Sequence, residues 1–172
     1  MPALDDPNFF RSVTLVCQHD QDGAMGLVVN LPSDFSLGEM LAQMQLPTID
    51  LVLASQDVLA GGPVQTDRGF VLHTNDKTFQ ATVQLEGLSL STSQDVLFAI
   101  ADGTGPEKSL ITLGYAGWEA GQLEAELADN AWLNCPFDPE IIFDRASDLR
   151  LEAAAASLGI NLHLLTSQAG HA

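Results

Sequence analysis

Positive charge is what this sequence has least of. Its six lysines and arginines (Arg11, Arg68, Lys77, Lys108, Arg145 and Arg150) stand singly against 23 aspartates and glutamates, for a formal net charge of −17. Proteins that grip duplex DNA neutralise about 6–10 phosphates, so nearly every cation of this chain would have to share one face. That argues against direct nucleic-acid binding and, on the same ground, against an anionic membrane surface. The plain reading of the acidity is solubility; a basic partner protein is the sharper one. Cysteine is scarce as well. Cys17 and Cys135 are far apart and form no C-x-x-C, which excludes a disulfide framework and makes a reducing cytosol the simplest compartment. No apolar run reaches the roughly 20 residues of a membrane span, and no charged segment leads into an apolar one as in a signal peptide. Walker, G-x-G-x-x-G, G-x-S-x-G and H-E-x-x-H patterns are missing too, so no metal and no cofactor is expected.

What is present is a chain of 172 residues, 46% of them apolar. It is long enough to bury a core without metals or disulfides, and is expected to form one domain over 1–172. The stretch from Ser109 to Leu133 carries both tryptophans and the only tyrosine. Leu110, Ile111, Leu113 and Tyr115 predict a buried strand that breaks at Gly114 and Gly117. A helix should follow, with Ala120, Leu123 and Leu127 on one face and Gly121, Ala125 and Ala128 on another. A strand, a glycine turn and a helix start can cradle phosphate, but Glu119 and Glu124 would repel an anion there. A structural clamp is the favoured reading and a ligand site the alternative.

Upstream, Val13, Leu15, Cys17 and His19 alternate on one face of a strand. Asp20-Gln21-Asp22-Gly23 is a turn by its chemistry and lacks the remaining ligands of a calcium loop. Ala24–Asn30 completes a hairpin, which Leu31-Pro32 ends. Cys17 reads as inert core and His19 as a capped, half-buried histidine, with a ligand or acid–base role as the alternative. Ser36-x-x-Glu39 is a capping box ahead of Leu37, Met40, Leu41 and Met44. The segment 48–54 is ambiguous between helix and strand. Gly61-Gly62-Pro63 permits unusual backbone angles and a close approach. Strands are expected over 68–74, with His73 among Gly69 and Val71, and over 78–85, with a short extended piece at 88–90. Ser91-x-x-Gln94 should cap a helix closed by Gly103. Asp138-Pro139 starts another, 147–158 a third ending at Gly159, and 160–165 a last strand. Hairpins mixed with helices predict an α+β fold with a mostly antiparallel sheet.

Several blocks resemble the bacterial AlgH/YqgE family. They are Asp6-Pro7-x-Phe9, Ser12-Val13, His19, Asp22-Gly23-Ala24-Met25-Gly26, Asn30 and Pro32, then Gly61-Gly62-Pro63-Val64 and Leu72-His73. Gly114-Tyr115-Ala116-Gly117-Trp118, Gly121-Gln122-Leu123-Glu124, Trp132, Gly159-Ile160 and Gly170-His171-Ala172 complete the set. The resemblance implies a bent, partly barrel-like sheet covered by helices, and a cytoplasmic bacterial protein labelled a transcriptional regulator. It supplies no catalytic residues. Gln18 stands where the family usually has Glu and Leu151 where it often has Trp. Family members also tend to begin earlier, so the resemblance implies a truncated or misassigned start at Met1 and predicts an unpaired sheet edge.

Two functions follow. The favoured one is a regulatory or binding protein acting through a protein or small-molecule partner. The alternative is a nucleotide binder or small hydrolytic enzyme whose site gathers His19, Gly61, Gly62, His73, Trp118 and Gln122. Histidine titrates near neutrality and glycine turns bare their N–H groups. That alternative requires His19 and His73 to share one pocket.

Overall fold

In the computed structural model, which describes residues 6, 9–48 and 50–164, the Asp20 carboxylate accepts the Asp22 N–H at 2.8 Å. This turn joins β1 (Thr14–Asp20) to β2 (Gly23–Val28). Val16 lies opposite Gly26 but Gln18 opposite Met25, so Cys17 is an extra residue in the ladder. The bulge breaks the expected alternation. Val13, Leu15 and Cys17 pack with Leu27, Val29 and Phe70, whereas His19 turns to the opposite face and lines a hollow with Thr14 and Val16.

Pro32 opens β3 (Pro32–Ser36), which pairs with β4 (Asp57–Ala60), two short strands the sequence did not announce. The capping box is present. Ser36 Oγ accepts from the Glu39 N–H at 3.2 Å, and Glu39 accepts from the Ser36 N–H at 2.9 Å, starting α1 (Leu37–Gln43). The ambiguous segment forms a helix, α2 (Leu51–Ala54), capped by Asp50. The next strand, β5 (Val64–His73), begins earlier than expected, and β6 (Thr82–Leu85) later. The delay has a cause: the N–H groups of Phe79, Gln80 and Ala81 donate to Thr82, Asp95 and Ser93 side chains instead of to a ladder. The extended piece at Leu88–Ser91 is β7. It is followed by α3 (Asp95–Asp102), which ends at Gly103 with φ +85°. Its expected cap fails, because Ser91 belongs to β7 and Gln94 makes no capping bond.

The central strand, β8 (Ser109–Glu119), runs on through Gly114 and Gly117 rather than breaking there. α4 (Gln122–Ala128) therefore starts later than expected, after Gly121 at φ +76°. α5 (Pro139–Phe143) is capped by Asp138. After a 3₁₀ turn at Ser147–Leu149 comes α6 (Arg150–Ser157), which stops before Gly159. The expected last strand is not found among residues 160–164, where 162–164 form a helical turn.

The fold is α+β, with a nearly closed, barrel-like sheet ordered β1-β2-β8-β5-β7-β6. Its ladders are antiparallel apart from β4 against β8. β8 bonds to β2, β4 and β5. Gly61 and Gly62 make that crowding possible. A Cβ on Gly62, at φ +153°, would fall 2.1 Å from the Tyr115 carbonyl carbon, and one on Gly61 would fall 2.4 Å from the Gly114 oxygen. One core cluster lies beneath α1 and α3 and a second under β1, β2 and β5. A third, of Ala116, Trp118 and Leu123, lies beneath α4.

Candidate functional site

The outer face of the β1-β2-β8 corner is organised by Trp118. Ala24 pairs with it across β2 and β8, and His19 pairs with Ala24 across β1 and β2, so register alone brings the three side chains to one face. Over this face lie Leu123 and Leu127 of α4, the loop Trp132–Cys135, Leu151 and Ala154 of α6, and Leu158 just after it. They leave a hollow of about 300 Å³. Val16, Leu133 and Leu158 are 43%, 51% and 38% exposed, a high value for bulky apolar side chains around one opening.

The aromatic wall is held by hydrogen bonds as well as packing. Phe9 stacks on Trp118 at 6.4 Å between centroids, and the two indoles meet edge to face at 5.9 Å. Glu126 Oε2 accepts from both indoles, from Trp118 Nε1 at 2.9 Å and Trp132 Nε1 at 2.7 Å. Glu126 Oε1 accepts from Gln122 at 2.9 Å. Burial pushes the Glu126 carboxyl up. Donation from Trp132, Gln122 and Trp118 outweighs it and leaves the group below its ordinary range.

At the rim, His19 Nε2 lies 2.6 Å from Glu124 Oε1, tying the end of β1 to α4. The backbone N–H of Glu124 and then His19 hold this carboxyl below the ordinary range. Inside, Thr14 Oγ1 is buried without a hydrogen-bond partner, a polar atom in a mostly apolar wall.

Of the six residues singled out from the sequence, His19 and Trp118 line this hollow. Gln122 stands beside it, accepting from the Glu119 N–H at 3.0 Å and bracing Glu126. Gly61 and Gly62 lie elsewhere, at the crossing with β8, and the Gly61 N–H donates to the Leu113 carbonyl at 2.7 Å. His73 is fully buried. Its Nδ1 donates to the Thr74 carbonyl at 2.8 Å, its Nε2 is hydrogen-bonded to Ser91 Oγ at 2.7 Å, and Ser91 is in turn bonded to Thr82. That chain is closed on itself. The alanine-rich α6, Cys135 and Glu126 were not foreseen as parts of the site; the two tryptophans flanking α4 were the one signal pointing to them.

Among the described residues, no group of three or more His, Cys, Asp or Glu could hold a metal ion. No helix there is long and apolar enough to cross a membrane.

Comparison with known proteins fixes the lineage. A family model described as AlgH-like matches residues 1–163. A UPF0301 protein of Pseudomonas putida strain GB-1 is 69% identical over all of this chain and 92% of its own length. One from Pseudomonas fluorescens strain Pf-5 is 67% identical at the same coverage. The solution structure of the AlgH protein from Pseudomonas aeruginosa superposes with a TM-score of 0.80 at 61% identity, covering 100% of this chain and 92% of that one. A crystal structure from Corynebacterium diphtheriae, at 20% identity, TM-score 0.63 and coverage of 81% and 73%, shares the fold. The chain belongs to the AlgH-like, UPF0301 family.

Proposed function

We propose that this single-domain chain is a binding protein with a regulatory role, acting through the hollow beside Trp118 on a protein or small-molecule partner. The observation that carries the reading is the hollow itself. It is an apolar recess with two indoles in its wall and exposed Val16, Leu133 and Leu158 at its mouth. Among the described residues around it, the titratable groups paired to each other are His19 and Glu124, so the complementary partner offers an apolar group with a neutral or cationic end.

The cations support action through a partner rather than on nucleic acid. Lys108 is paired with Asp144 at 2.5 Å, Lys77 donates to the Thr104 carbonyl, and Arg150 is buried. Half of an already small set is thus engaged within the chain, well short of what about 6–10 phosphate contacts require. The regulatory label that the resemblance carries is exercised through an intermediary, in the cytoplasm. The hydrolytic alternative loses its supposed pair, since His73 is enclosed with Ser91 while His19 stands at the rim.

Two measurements test this. Ala154→Phe fills the hollow from α6. Proteins and metabolites captured from native cytosol by the wild-type chain should be lost with this variant, and identical sets on both would refute the reading. Duplex DNA at low salt should migrate unretarded; retardation abolished by modest salt would establish direct contact instead.

A further inference from the structure

α6 serves two cavities. Leu151 and Ala154 line the hollow, while Arg150 lines a second cleft of about 500 Å³ among β4, the start of β8, α5 and the 3₁₀ turn. The second lining is polar where the first is apolar: Asp57, Asp148 and Ser109 face it together with Arg150, above Ile142 and Phe143.

Arg150 is the unusual member. It is 6% exposed, in a chain whose other resources are overwhelmingly acidic, yet no ion pair joins it to any described carboxylate. Its Nη1 donates to the Val29 carbonyl at 2.5 Å and its Nε has no partner. One N–H of its five-donor fork is thus buried with no acceptor. Asp57 is near enough to favour its charge, and burial opposes it. A buried guanidinium with an unpartnered N–H has the capacity to take an anionic acceptor. A simple anion such as phosphate does not fit, because Asp57 and Asp148 would repel it. A simple cation does not fit either, because it leaves Arg150 as it was. A ligand carrying both charged groups on one carbon satisfies both requirements.

We propose that this cleft binds a free α-amino acid with an apolar side chain, separately from the hollow. Its carboxylate meets Arg150, its ammonium faces Asp57 and Asp148, and its side chain rests on Ile142 and Phe143. The cleft volume suits a ligand of that size.

The test is titration calorimetry on the full chain with L-valine, L-leucine and L-phenylalanine as probes. N-acetyl-L-phenylalanine lacks the ammonium and L-phenylalaninamide lacks the carboxylate. At least one amino acid should bind saturably, and both blocked compounds should bind about thirtyfold more weakly or worse. Arg150→Gln should abolish binding. Because that variant removes a buried contact to Val29, Asp57→Asn, at an exposed position, provides the independent arm. It should weaken the amino acid about tenfold while leaving the N-acetyl compound unchanged. Ala154→Phe, which fills the hollow, should bind the amino acid as the wild type does. Absence of heat with all three amino acids would overturn the proposal. So would equal affinity for the N-acetyl compound, an unaffected Asp57→Asn variant, or loss of binding in Ala154→Phe, which would move the ligand to the hollow.

Discussion

Glu126→Ala is the substitution that most directly examines how the hollow is held together. The carboxylate accepts two indole N–H groups on one oxygen, at 2.9 and 2.7 Å, and Gln122 on the other. Trp118 is only 7% exposed, so removing the acceptor strands at least one donor away from water. Hydrogen bonds to a charged group are worth about 1.5–3 kcal/mol, and the exposed Gln122 bond adds little, so the loss should be about 2–4 kcal/mol. At this chain length each kcal/mol lowers Tm by about 2–4 °C, which predicts a fall of about 5–15 °C. Glu126→Gln keeps a carbonyl acceptor and should lose about half as much. Urea unfolding followed by far-ultraviolet circular dichroism, independent of the indoles, measures both. The carboxyl sits below its ordinary value of 4.5 in the folded chain. Its contribution is therefore complete above that value and lost as pH falls through the folded one. The gap between wild type and Glu126→Ala should close in acid. A variant within about 0.5 kcal/mol of wild type at neutral pH would refute the reasoning.

Gly62→Ala should prevent accumulation of soluble folded protein, since the new methyl meets Tyr115 backbone at 2.1 Å and the residue is held at φ +153°. Soluble yield and circular dichroism check it, and a normally folded variant would count against the crossing. The two thiols should react unequally with an aromatic disulfide reagent. Burial pushes the Cys17 thiol up to about 12, so Cys135 should be modified at least about tenfold faster, as comparison of Cys17→Ser and Cys135→Ser would show. Side-chain donors Gln18, Thr74, Ser93 and Thr104 are the leading cause that holds Asp20, Asp76, Asp95 and Asp102 below their ordinary 3.8. That stability is present above 3.8 and lost below it. Thermal scans should be level from neutrality to about pH 5 and fall below about pH 4; a level curve to about pH 3 would contradict the assignment.

The parts of the fold that were legible in the sequence are those decided within a few residues. The Asp20–Gly23 turn, the Ser36–Glu39 box, the Asp138-Pro139 start and the stops at Gly103 and Gly159 are local hydrogen-bond or φ requirements, and each stands where its chemistry put it. What failed depended on distant partners. Period-two alternation has no way to register an added residue, so the bulge at Cys17 sent His19 to the unexpected face. Gly114 and Gly117 look like breakers, but β8 tolerates them because neighbouring strands bond along its length. β3 and β4 are short and carry no alternation; they exist because they find each other and β8. The site divides the same way. His19 and Trp118 were visible as chemistry, whereas Leu151 and Ala154 arrive from the far end of the chain by packing alone.

β8 also decides when this protein can fold. The strands at 23–28, 57–60 and 64–73 all bond to a segment that is not complete until residue 119. A chain emerging from the ribosome carries three unmatched strand edges until then, rich in Leu, Val and Phe. Such intermediates aggregate readily. Late pairing of this kind also slows folding through loop-closure entropy. Fragments ending before residue 119 lack the strand to which β2, β4 and β5 all bond and should not fold as miniature versions of the whole.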